Sequence, residues 1–374
     1  MQPGEMKKKL GLIVNPLAGI GGRVGLKGSD GIATVKKAFA MGAEIISPNR
    51  AIETLQELVP YKDEFDLITY PKEMGEDEAK HCGFSPVVLG NIISGQTTAD
   101  DTRSAACKMT DFGVNLIIFV GGDGTARDIY NAIGDKIAVM GIPSGVKIHS
   151  SVYAVNPHRA ADLIKMYMRG RAPVREMEVM DIDEDRFRQG QVSARLYGYL
   201  RVPYERRLVQ GAKAASSGSG DNLQTIAEAV VDSMIDDYYY ILGPGTTVKA
   251  IGDELRIDKT LLGIDMVYRK QLIGRDLNEQ QLLDMIDGKK AKIVVTVIGG
   301  QGYLFGRGNQ QISPRVIRKV GKQNLIVVAT KNKLLSLPGP LLVDTGDSEC
   351  DRYLSGYIRV VTGYNEEAAW KIEC

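Results

Sequence analysis

The chain has 374 residues, enough for two or three domains of ~150 residues with large buried cores. It carries 47 Lys and Arg against 46 Asp and Glu, a formal net charge of +1. That balance lacks the cationic excess with which proteins gather phosphates, so we expect neither nucleic acid nor a membrane as a partner. Four cysteines without a C-x-x-C pair and no long apolar run predict a cytoplasmic protein without disulfides, signal peptide or membrane span.

Apolar segments of strand length alternate with segments of helical periodicity through the first 145 residues. This alternation is typical of an α/β fold with a parallel sheet. Thr98 and Asp101 form a capping-box pattern at one helix start, and Gly134 marks the end of another helix. The predicted strands are Leu10–Val14, Phe65–Thr69, Pro86–Leu89, Leu116–Val120 and Ile137–Met140, and the predicted helices include Thr34–Met41 and Thr98–Met109.

The pattern changes to period two between residues 174 and 202, around Asp183–Gln189. This alternation predicts a β-hairpin with one face in water. A Ser-, Gly- and Ala-rich connection over residues 214–221 then leads into a second series of strands and helices. Its predicted elements are Asn222–Met234, Tyr238–Leu242, Thr246–Leu255, Leu261–Val267, Glu279–Ile286, Ile293–Ile298, Ser313–Val320 and Leu325–Ala329.

The predicted fold class is therefore α/β with two domains. Residues 1–150 form an N-terminal parallel-sheet domain that binds nucleotide or phosphate. Residues 151–374 form a mixed α/β domain with a β-hairpin insertion that binds the acceptor. Which domain receives the tail, Gly356–Ile372, is left open, and packing back on the first domain is one of the alternatives.

Glycine accounts for 42 of the residues, above the usual ~7%, and many glycines follow predicted strands, where a parallel sheet binds its ligands. The first such loop runs from Asn15 and contains Gly19, Gly21 and Gly22. These residues would let backbone N–H groups approach an anion, so all four are candidates for phosphate or nucleotide binding. The loop is neither a complete dinucleotide fingerprint nor a Walker A loop, and a tight turn is the alternative.

The second loop, Gly121–Thr125, has the sequence Gly-Gly-Asp-Gly-Thr between a buried strand and a helix predicted to begin after Thr125. Its glycines would let the chain fold beneath a polyphosphate, while the helix start supplies N–H donors. A carboxylate beside phosphates is costly unless it holds Mg²⁺ or accepts a proton from an attacking hydroxyl. Asp123 is therefore the predicted catalytic and metal-binding residue, and an Asp that caps its own helix is the alternative.

The third loop, from Gly141 to Ser151, contains Lys147 and His149. Lys147 would neutralise a transferring phosphoryl group and His149 would assist proton transfer, so both are candidate catalytic residues. The alternatives are a solvated surface lysine and a hydrogen-bonded structural histidine.

Two further glycine loops follow predicted strands in the distal half, and both have the strand, loop and helix order of anion sites. Plain turns between strand and helix are the alternative, and the loops also resemble phosphate loops of sugar-phosphate isomerases. The candidates for phosphate or nucleotide binding are Gly243, Gly245, Thr246 and Thr247, and those for acceptor binding are Gly300, Gly302, Arg307 and Asn309.

The Gly-Gly-Asp-Gly-Thr sequence after a strand resembles the superfamily of NAD kinases, diacylglycerol and sphingosine kinases and 6-phosphofructokinases. The Asn15-Pro-Leu-Ala-Gly loop, the Gly141-Ile-Pro-Ser-Gly-Val-Lys-Ile-His-Ser segment and the distal half look like the ATP- or polyphosphate-dependent NAD kinases of the AcoX type. The resemblance spans nearly the whole chain. It implies a homo-oligomer in which Asp123 places a metal or abstracts a proton. It gives the phosphate contacts to Gly121, Gly122, Gly124 and Thr125.

These observations predict a phosphotransferase that moves a phosphoryl group from Mg²⁺-bound ATP or polyphosphate to a hydroxyl. The favoured acceptor is the adenosine 2′-hydroxyl of NAD, which would give NADP. Phosphoryl transfer needs positioning and charge neutralisation more than covalent help, so glycines, one carboxylate and a metal suffice. The alternatives are a kinase of another small-molecule or lipid hydroxyl and a non-catalytic nucleotide sensor. The sequence does not decide between ATP and polyphosphate or between NAD and NADH.

Overall fold

The computed structural model describes residues 7–26, 32–145, 148–182, 194–210 and 220–374. These residues divide into two compact units. Unit 1 comprises the described parts of residues 1–20, 44–183 and 192–212, and unit 2 comprises those of 21–43, 184–191 and 213–374. The segment around Arg23 belongs to unit 2, where its carbonyl accepts a hydrogen bond from the Glu279 N–H at 3.1 Å.

Most of the described chain lies in helices and strands, and the predicted elements are present with bounds that differ by at most four residues. The strands are β1 (Lys8–Val14), β2 (Phe65–Thr69), β3 (Val87–Val88), β4 (Leu116–Gly121), β5 (Ala138–Pro143), β6 (Val174–Ile182), β7 (Ala194–Pro203), β8 (Tyr239–Leu242), β9 (Asp265–Tyr268), β10 (Gln271–Gly274), β11 (Ala291–Thr296), β12 (Tyr303–Phe305), β13 (Leu325–Val328), β14 (Leu341–Val343), β15 (Gly356–Gly363) and β16 (Glu366–Glu373). The helices are α1 (Ile32–Ala40), α2 (Ser47–Leu58), α3 (Glu76–His81), α4 (Ala99–Asp111), α5 (Asp123–Ile133), α6 (Pro157–Met168), α7 (Gly220–Asp232), α8 (Thr246–Glu254), α9 (Glu279–Met285), α10 (Pro314–Val320), α11 (Lys331–Leu335) and α12 (Ser348–Leu354), with single 3₁₀ turns at Val59–Tyr61, Lys72–Met74 and Lys322–Asn324.

Unit 1 is built on a parallel sheet of five strands, in the order β3-β2-β1-β4-β5 among the described residues. Every residue of β4 is buried, as expected for a strand covered on both faces. The capping box of Thr98 and Asp101 is present at the start of α4, and Gly134 is the C-cap of α5. The predicted α/β class with an N-terminal parallel sheet is confirmed.

The β6–β7 hairpin is antiparallel, with Val174 opposite Pro203, and its predicted tip at Asp183–Gln189 lies outside the described residues. It packs in unit 1, where a Cβ on Gly198 would lie 2.3 Å from the Tyr130 ring. Val179 also joins the core of this unit. The sequence assigned the hairpin to the second domain, whose predicted boundary at residue 150 therefore differs from the division between the two units.

Unit 2 contains a mixed sheet of nine strands among the described residues, in the order β10-β9-β8-β11-β13-β15-β16-β14-β12. Its centre is parallel, since β8, β11, β13 and β15 run in one direction. The tail forms the antiparallel β15–β16 pair of this sheet and not a part of the first one. Within the described ranges, no helix has the length and apolar character needed to cross a bilayer.

Candidate functional site

Three loops pack together at the carboxyl edge of the first sheet, after β1, β4 and β5. Gly19 has a φ of +79°, and a Cβ there would lie 1.9 Å from the Ser144 carbonyl oxygen. A Cβ on Gly145 would lie 2.9 Å from the Cα of Gly122. Any side chain at these positions would force the loops apart, because backbone atoms and not flexible side chains occupy the space. The glycines therefore make the three loops one packed assembly.

Asn15 links the first loop to the second. Its Nδ2 donates to Thr125 Oγ1 at 3.0 Å, and its Oδ1 accepts from the Leu17 N–H at 3.2 Å. Thr125 is buried, and a Cβ on Gly121 would lie 2.4 Å from its hydroxyl oxygen. Both predicted residues thus lie in the assembly and are hydrogen-bonded to each other.

Helix α2 supports the first and third loops through side chains that the sequence analysis missed. Ser47 Oγ donates to the Ala18 carbonyl at 2.9 Å and lies 2.6 Å from Ser144 Oγ. Arg50 Nε donates to the Pro143 carbonyl at 3.1 Å. No motif marks these residues, because isolated Ser and Arg residues in a helix are normally solvated.

The helix of the Gly-Gly-Asp-Gly-Thr loop begins earlier than predicted. Gly122 is the N-cap, with extended backbone, and α5 begins at Asp123. Asp123, Gly124 and Thr125 therefore form the first helical turn and not a loop before it. An acidic side chain in this turn interacts favourably with the helix dipole. The predicted start after Thr125 was wrong because an Asp-Gly-Thr sequence has the composition of a turn.

The Asp123 carboxylate is held by the third loop. Its Oδ2 accepts from the His149 N–H at 2.8 Å, and its Oδ1 accepts from the Ser150 N–H at 3.0 Å. The alternative in which Asp123 caps its own helix is wrong, since Gly122 occupies that position. A carboxylate has about four lone-pair sites, so each oxygen keeps the capacity to accept a proton or bind a cation. The side chain is 11% exposed.

The structure brings the predicted His149 and Asp123 together. His149 Nδ1 lies 3.5 Å from Asp123 Oδ2, and the histidine is buried. Ser150, whose N–H holds the carboxylate, was missed, because a backbone donor leaves no signal in the side-chain type. Lys147 lies outside the described residues.

Strand β6 fixes the third loop. The Met180 N–H donates to Ser150 Oγ at 2.9 Å. The Glu178 N–H donates to Ser151 Oγ at 2.9 Å, and the Ser151 N–H donates to the Glu178 carbonyl at 2.9 Å. The hairpin that the sequence placed in the other domain thus contributes to the surroundings of Asp123.

Asp123 can serve as one ligand of a metal that arrives with phosphate. Among the described residues, no group of three or more His, Cys, Asp or Glu side chains is placed to hold a metal ion. Mg²⁺ commonly binds one or two carboxylates and completes its shell with water and substrate phosphates. The donor set around Asp123 fits this kind of site and not a cage made by the protein alone.

The carboxyl of Glu78, in unit 1, has a raised pKa. Glu78 is buried in α3, and desolvation raises its pKa to about 7, with the nearby charge of Asp77 acting in the same direction. Hydrogen bonds from the N–H groups of Glu78 and Gly75 oppose this rise. Glu78 therefore changes its charge near neutral pH.

In unit 2, the Gly243–Thr247 loop has the predicted order of strand, loop and helix. The Gly243 N–H donates to the Val294 carbonyl at 2.8 Å. Gly245, with a φ of +107°, is the N-cap of α8, and a Cβ there would lie 2.9 Å from Thr296 Cγ2. Thr246 is exposed and Thr247 is buried, so only the first of these hydroxyls is open to solvent.

The second distal loop does not lead into a helix, as the sequence predicted, but into strand β12. The Gly302 N–H donates to the Ile298 carbonyl at 2.9 Å, which closes a tight turn between β11 and β12. Gly300 and Gly302 have φ values of +77° and +83°, which side chains rarely adopt. The turn itself therefore explains both glycines.

Arg307 and Asn309 are buried within the loop that follows β12. Arg307 Nη2 lies 2.7 Å from Asp344 Oδ2, in an ion pair with both side chains buried. Asn309 Oδ1 accepts from the Gly306 N–H at 3.1 Å, and its Nδ2 donates to the Leu304 carbonyl at 2.9 Å. Both side chains thus fix the loop, and their contact with an acceptor stays a prediction.

Two family models match the chain in succession. Residues 10–172 match the ATP-NAD kinase N-terminal domain, and residues 235–372 match the ATP-NAD kinase C-terminal domain. Both matches are to domains of one family, and together they cover most of the chain. The chain belongs to an NAD kinase-like family, as its sequence predicted.

Solved structures resemble the chain only weakly. Two structures from Bacillus anthracis str. Sterne, both assigned as diacylglycerol kinases, are 20% and 17% identical to it, with TM-scores of 0.23 and 0.21. They cover 47% and 51% of this chain, which spans 46% and 62% of theirs. A UDP-N-acetylglucosamine 2-epimerase is 11% identical over 92% of this chain and 85% of its own, with a TM-score of 0.24. Comparison with curated proteins gave no match.

Proposed function

We propose that the chain is an NAD kinase of the AcoX type, which transfers a phosphoryl group from ATP or polyphosphate to the adenosine 2′-hydroxyl of NAD. The observation that carries this proposal is the position of Asp123. Its carboxylate stands in the first turn of α5, among the three packed loops, and is held there by two N–H groups of the third loop. The family to which the chain belongs supports the reaction class.

In this proposal the donor's phosphates bind at the first unit's glycine loops, at the amino end of α5. Helix N-termini bind phosphates through free N–H groups and a partial positive charge. Asp123 accepts the proton of the acceptor hydroxyl, whose oxygen attacks the terminal phosphorus as the bond to the leaving phosphate breaks. His149, 3.5 Å from that carboxylate, assists the proton transfer, and Lys147 offsets charge on the phosphoryl group.

Mg²⁺ would be held by Asp123 and would supply neutralisation of the phosphate charge when bound. The protein's own contribution is the fixed orientation of the carboxylate, because both of its oxygens are already hydrogen-bonded to backbone N–H groups. Positioning of this kind accounts for most of the catalysis of phosphoryl transfer.

The distal loops would bind the acceptor. Gly243–Thr247, with its exposed Thr246 at the start of α8, is suited to a phosphate group of a dinucleotide. Of the second distal loop, Gly300 would bring its backbone N–H close to the same ligand, whereas the Gly302 N–H is already bonded to the Ile298 carbonyl. The homo-oligomer and the cytoplasmic location stay predictions, and light scattering after size exclusion measures the first of them.

ADP release tests the proposal. The wild-type protein is incubated with Mg²⁺-ATP and separately with NAD, NADH, a set of sugars and diacylglycerol in liposomes. Polyphosphate is the second donor, and because it yields no ADP, the phosphorylated acceptor is measured in its place. We expect turnover with NAD or NADH and formation of the 2′-phosphate. Turnover only with a sugar or with diacylglycerol would replace the acceptor, and nucleotide binding without turnover on any acceptor would indicate a sensor.

A further inference from the structure

The orientation of Asp123 depends on the backbone of the third loop. The carboxylate accepts hydrogen bonds from the N–H groups of His149 and Ser150, at 2.8 and 3.0 Å. The cap of its own helix is Gly122, so α5 alone leaves the rotamer of Asp123 undetermined. A change in the path of the loop at residues 149–150 would therefore turn or release the carboxylate.

The path of the loop at this point depends in turn on β6. Ser150 is fully buried, and its Oγ accepts the Met180 N–H at 2.9 Å. The same residue thus makes two bonds in opposite directions: its side chain accepts from the hairpin, and its own N–H donates to Asp123. A hydrogen-bond network of this kind transmits the position of one element to another.

Ser151 provides a matched comparison. It is also buried, and its Oγ accepts from the N–H of Glu178, on the same strand β6, at 2.9 Å. Its own N–H, however, donates to the Glu178 carbonyl and not to Asp123. The two serines therefore anchor the loop to β6 in similar ways, but only Ser150 connects the strand directly to the carboxylate.

We propose that Ser150 is a positioning residue for phosphoryl transfer, whose hydroxyl fixes the loop on β6 so that two N–H groups hold Asp123 in its reactive orientation. This inference rests on the proposed function, because it assigns Asp123 a part in the reaction. It makes the β6–β7 hairpin a contributor to turnover through its backbone N–H at Met180 and not through a side chain that contacts substrate.

The test compares Ser150→Ala with Ser151→Ala in the full-length protein. We expect Ser150→Ala to lower kcat about tenfold, since small misplacements of reacting groups cost up to ~10²-fold, with the KM for ATP changed less than twofold. Ser151→Ala should keep kcat within twofold. In an Asp123→Asn background, Ser150→Ala should cause no further loss, because a residue that acts through Asp123 has no effect once that carboxylate is gone.

Equal losses in kcat from the two serine variants, or a full loss from Ser150→Ala in the Asp123→Asn background, would overturn the proposal. Amide hydrogen exchange gives a second measurement: the amides at 149 and 150 should exchange faster in Ser150→Ala and not in Ser151→Ala. If the wild type shows no turnover with any acceptor, the proposed function has failed, and amide exchange still decides whether Ser150 holds the loop. Ser150→Cys, which is nearly isosteric, replaces the alanine variant if that variant does not fold.

Discussion

The buried carboxyl of Glu78 should make the stability of unit 1 depend on pH. Glu78 is 4% exposed, and its Oε2 finds no hydrogen-bond partner among the described residues. Burial raises its pKa from 4.5 to about 7. Between pH 4.5 and about 7, the Glu78 carboxyl is therefore more often protonated in the folded chain than in the unfolded chain. Since the folded state holds the extra proton, the free energy of unfolding falls as pH rises through this window.

The magnitude follows from the size of the pKa shift. One pKa unit corresponds to ~1.4 kcal/mol, so the shift of Glu78 should remove roughly 3 kcal/mol of stability between pH 5 and 8. Glu78→Gln removes the titration and keeps an oxygen that can accept from the Gly75 N–H. The free energy of unfolding of the variant, relative to wild type, should therefore rise by about that amount over the same range.

The assay is urea unfolding at pH 5, 6, 7 and 8, followed by hydrogen–deuterium exchange of peptides from β2 and β4, which report on unit 1. Asp66→Asn, an exposed substitution on β2, is the control and should leave the pH dependence of wild type unchanged. A difference between Glu78→Gln and wild type that stays constant from pH 5 to 8 would refute the assignment of this titration to Glu78.

Three further predictions concern the candidate site and unit 2. Asp123→Asn should lower kcat by about 10²- to 10⁴-fold, the usual contribution of general base catalysis, with ATP affinity by calorimetry nearly unchanged; wild-type turnover would remove Asp123 from the mechanism. Gly145→Ala should destabilise unit 1 by roughly 1–3 kcal/mol in urea unfolding, because the new Cβ would lie 2.9 Å from the Cα of Gly122. Gly339→Ala is the control and should leave stability unchanged, because no atom lies within 4 Å of a Cβ at that position. Burial lowers the pKa of Lys259 to about 8, so the free energy of unfolding of unit 2 should rise between pH 8 and 10. Lys259→Met should abolish this rise in urea unfolding. If the rise persists in the variant, another group causes the pH dependence.

Local periodicity predicted the fold well where the pattern is strong. The buried run of β4 and the capping box at Thr98 are both present as expected, since each depends on residues close in sequence. Helices α2 and α6 were missed, although each presents a buried face and has a proline at its start, and α6 also has the N-cap Asn156. Their apolar positions alternate with charged residues, which obscures the helical period. Propensity is a weak guide in such segments.

Pairing between distant segments was less predictable. Nothing in the alternation of residues 174–202 tells which sheet the hairpin joins, and it packs in unit 1 through contacts such as Gly198 with Tyr130. The tail joins the second sheet for the same kind of reason: β15 pairs with β13 through Val360 and Val361. These choices depend on surface complementarity and not on local sequence.

The candidate site was predicted in part. The sequence singled out Asp123 and His149, which the structure places 3.5 Å apart. It did not foresee that Gly122 packs against Gly145, because a glycine suited to a ligand and one suited to close backbone packing look alike in sequence. The backbone donor of Ser150 was missed because amide groups are present at nearly every residue.

A segment of unit 2 lies between two segments of unit 1 in the sequence. Described residues within 21–43 belong to unit 2, where the Arg23 carbonyl bonds to the Glu279 N–H. During synthesis this segment leaves the ribosome long before α9. Its contact with Glu279 can therefore form only after α9 has been made. A cut anywhere between residues 44 and 212 would separate residues 21–43 from the rest of unit 2. The N-terminal fragment would then contain these residues without their partners. Each unit is therefore made of separate segments of the chain, and neither can be produced as one continuous fragment.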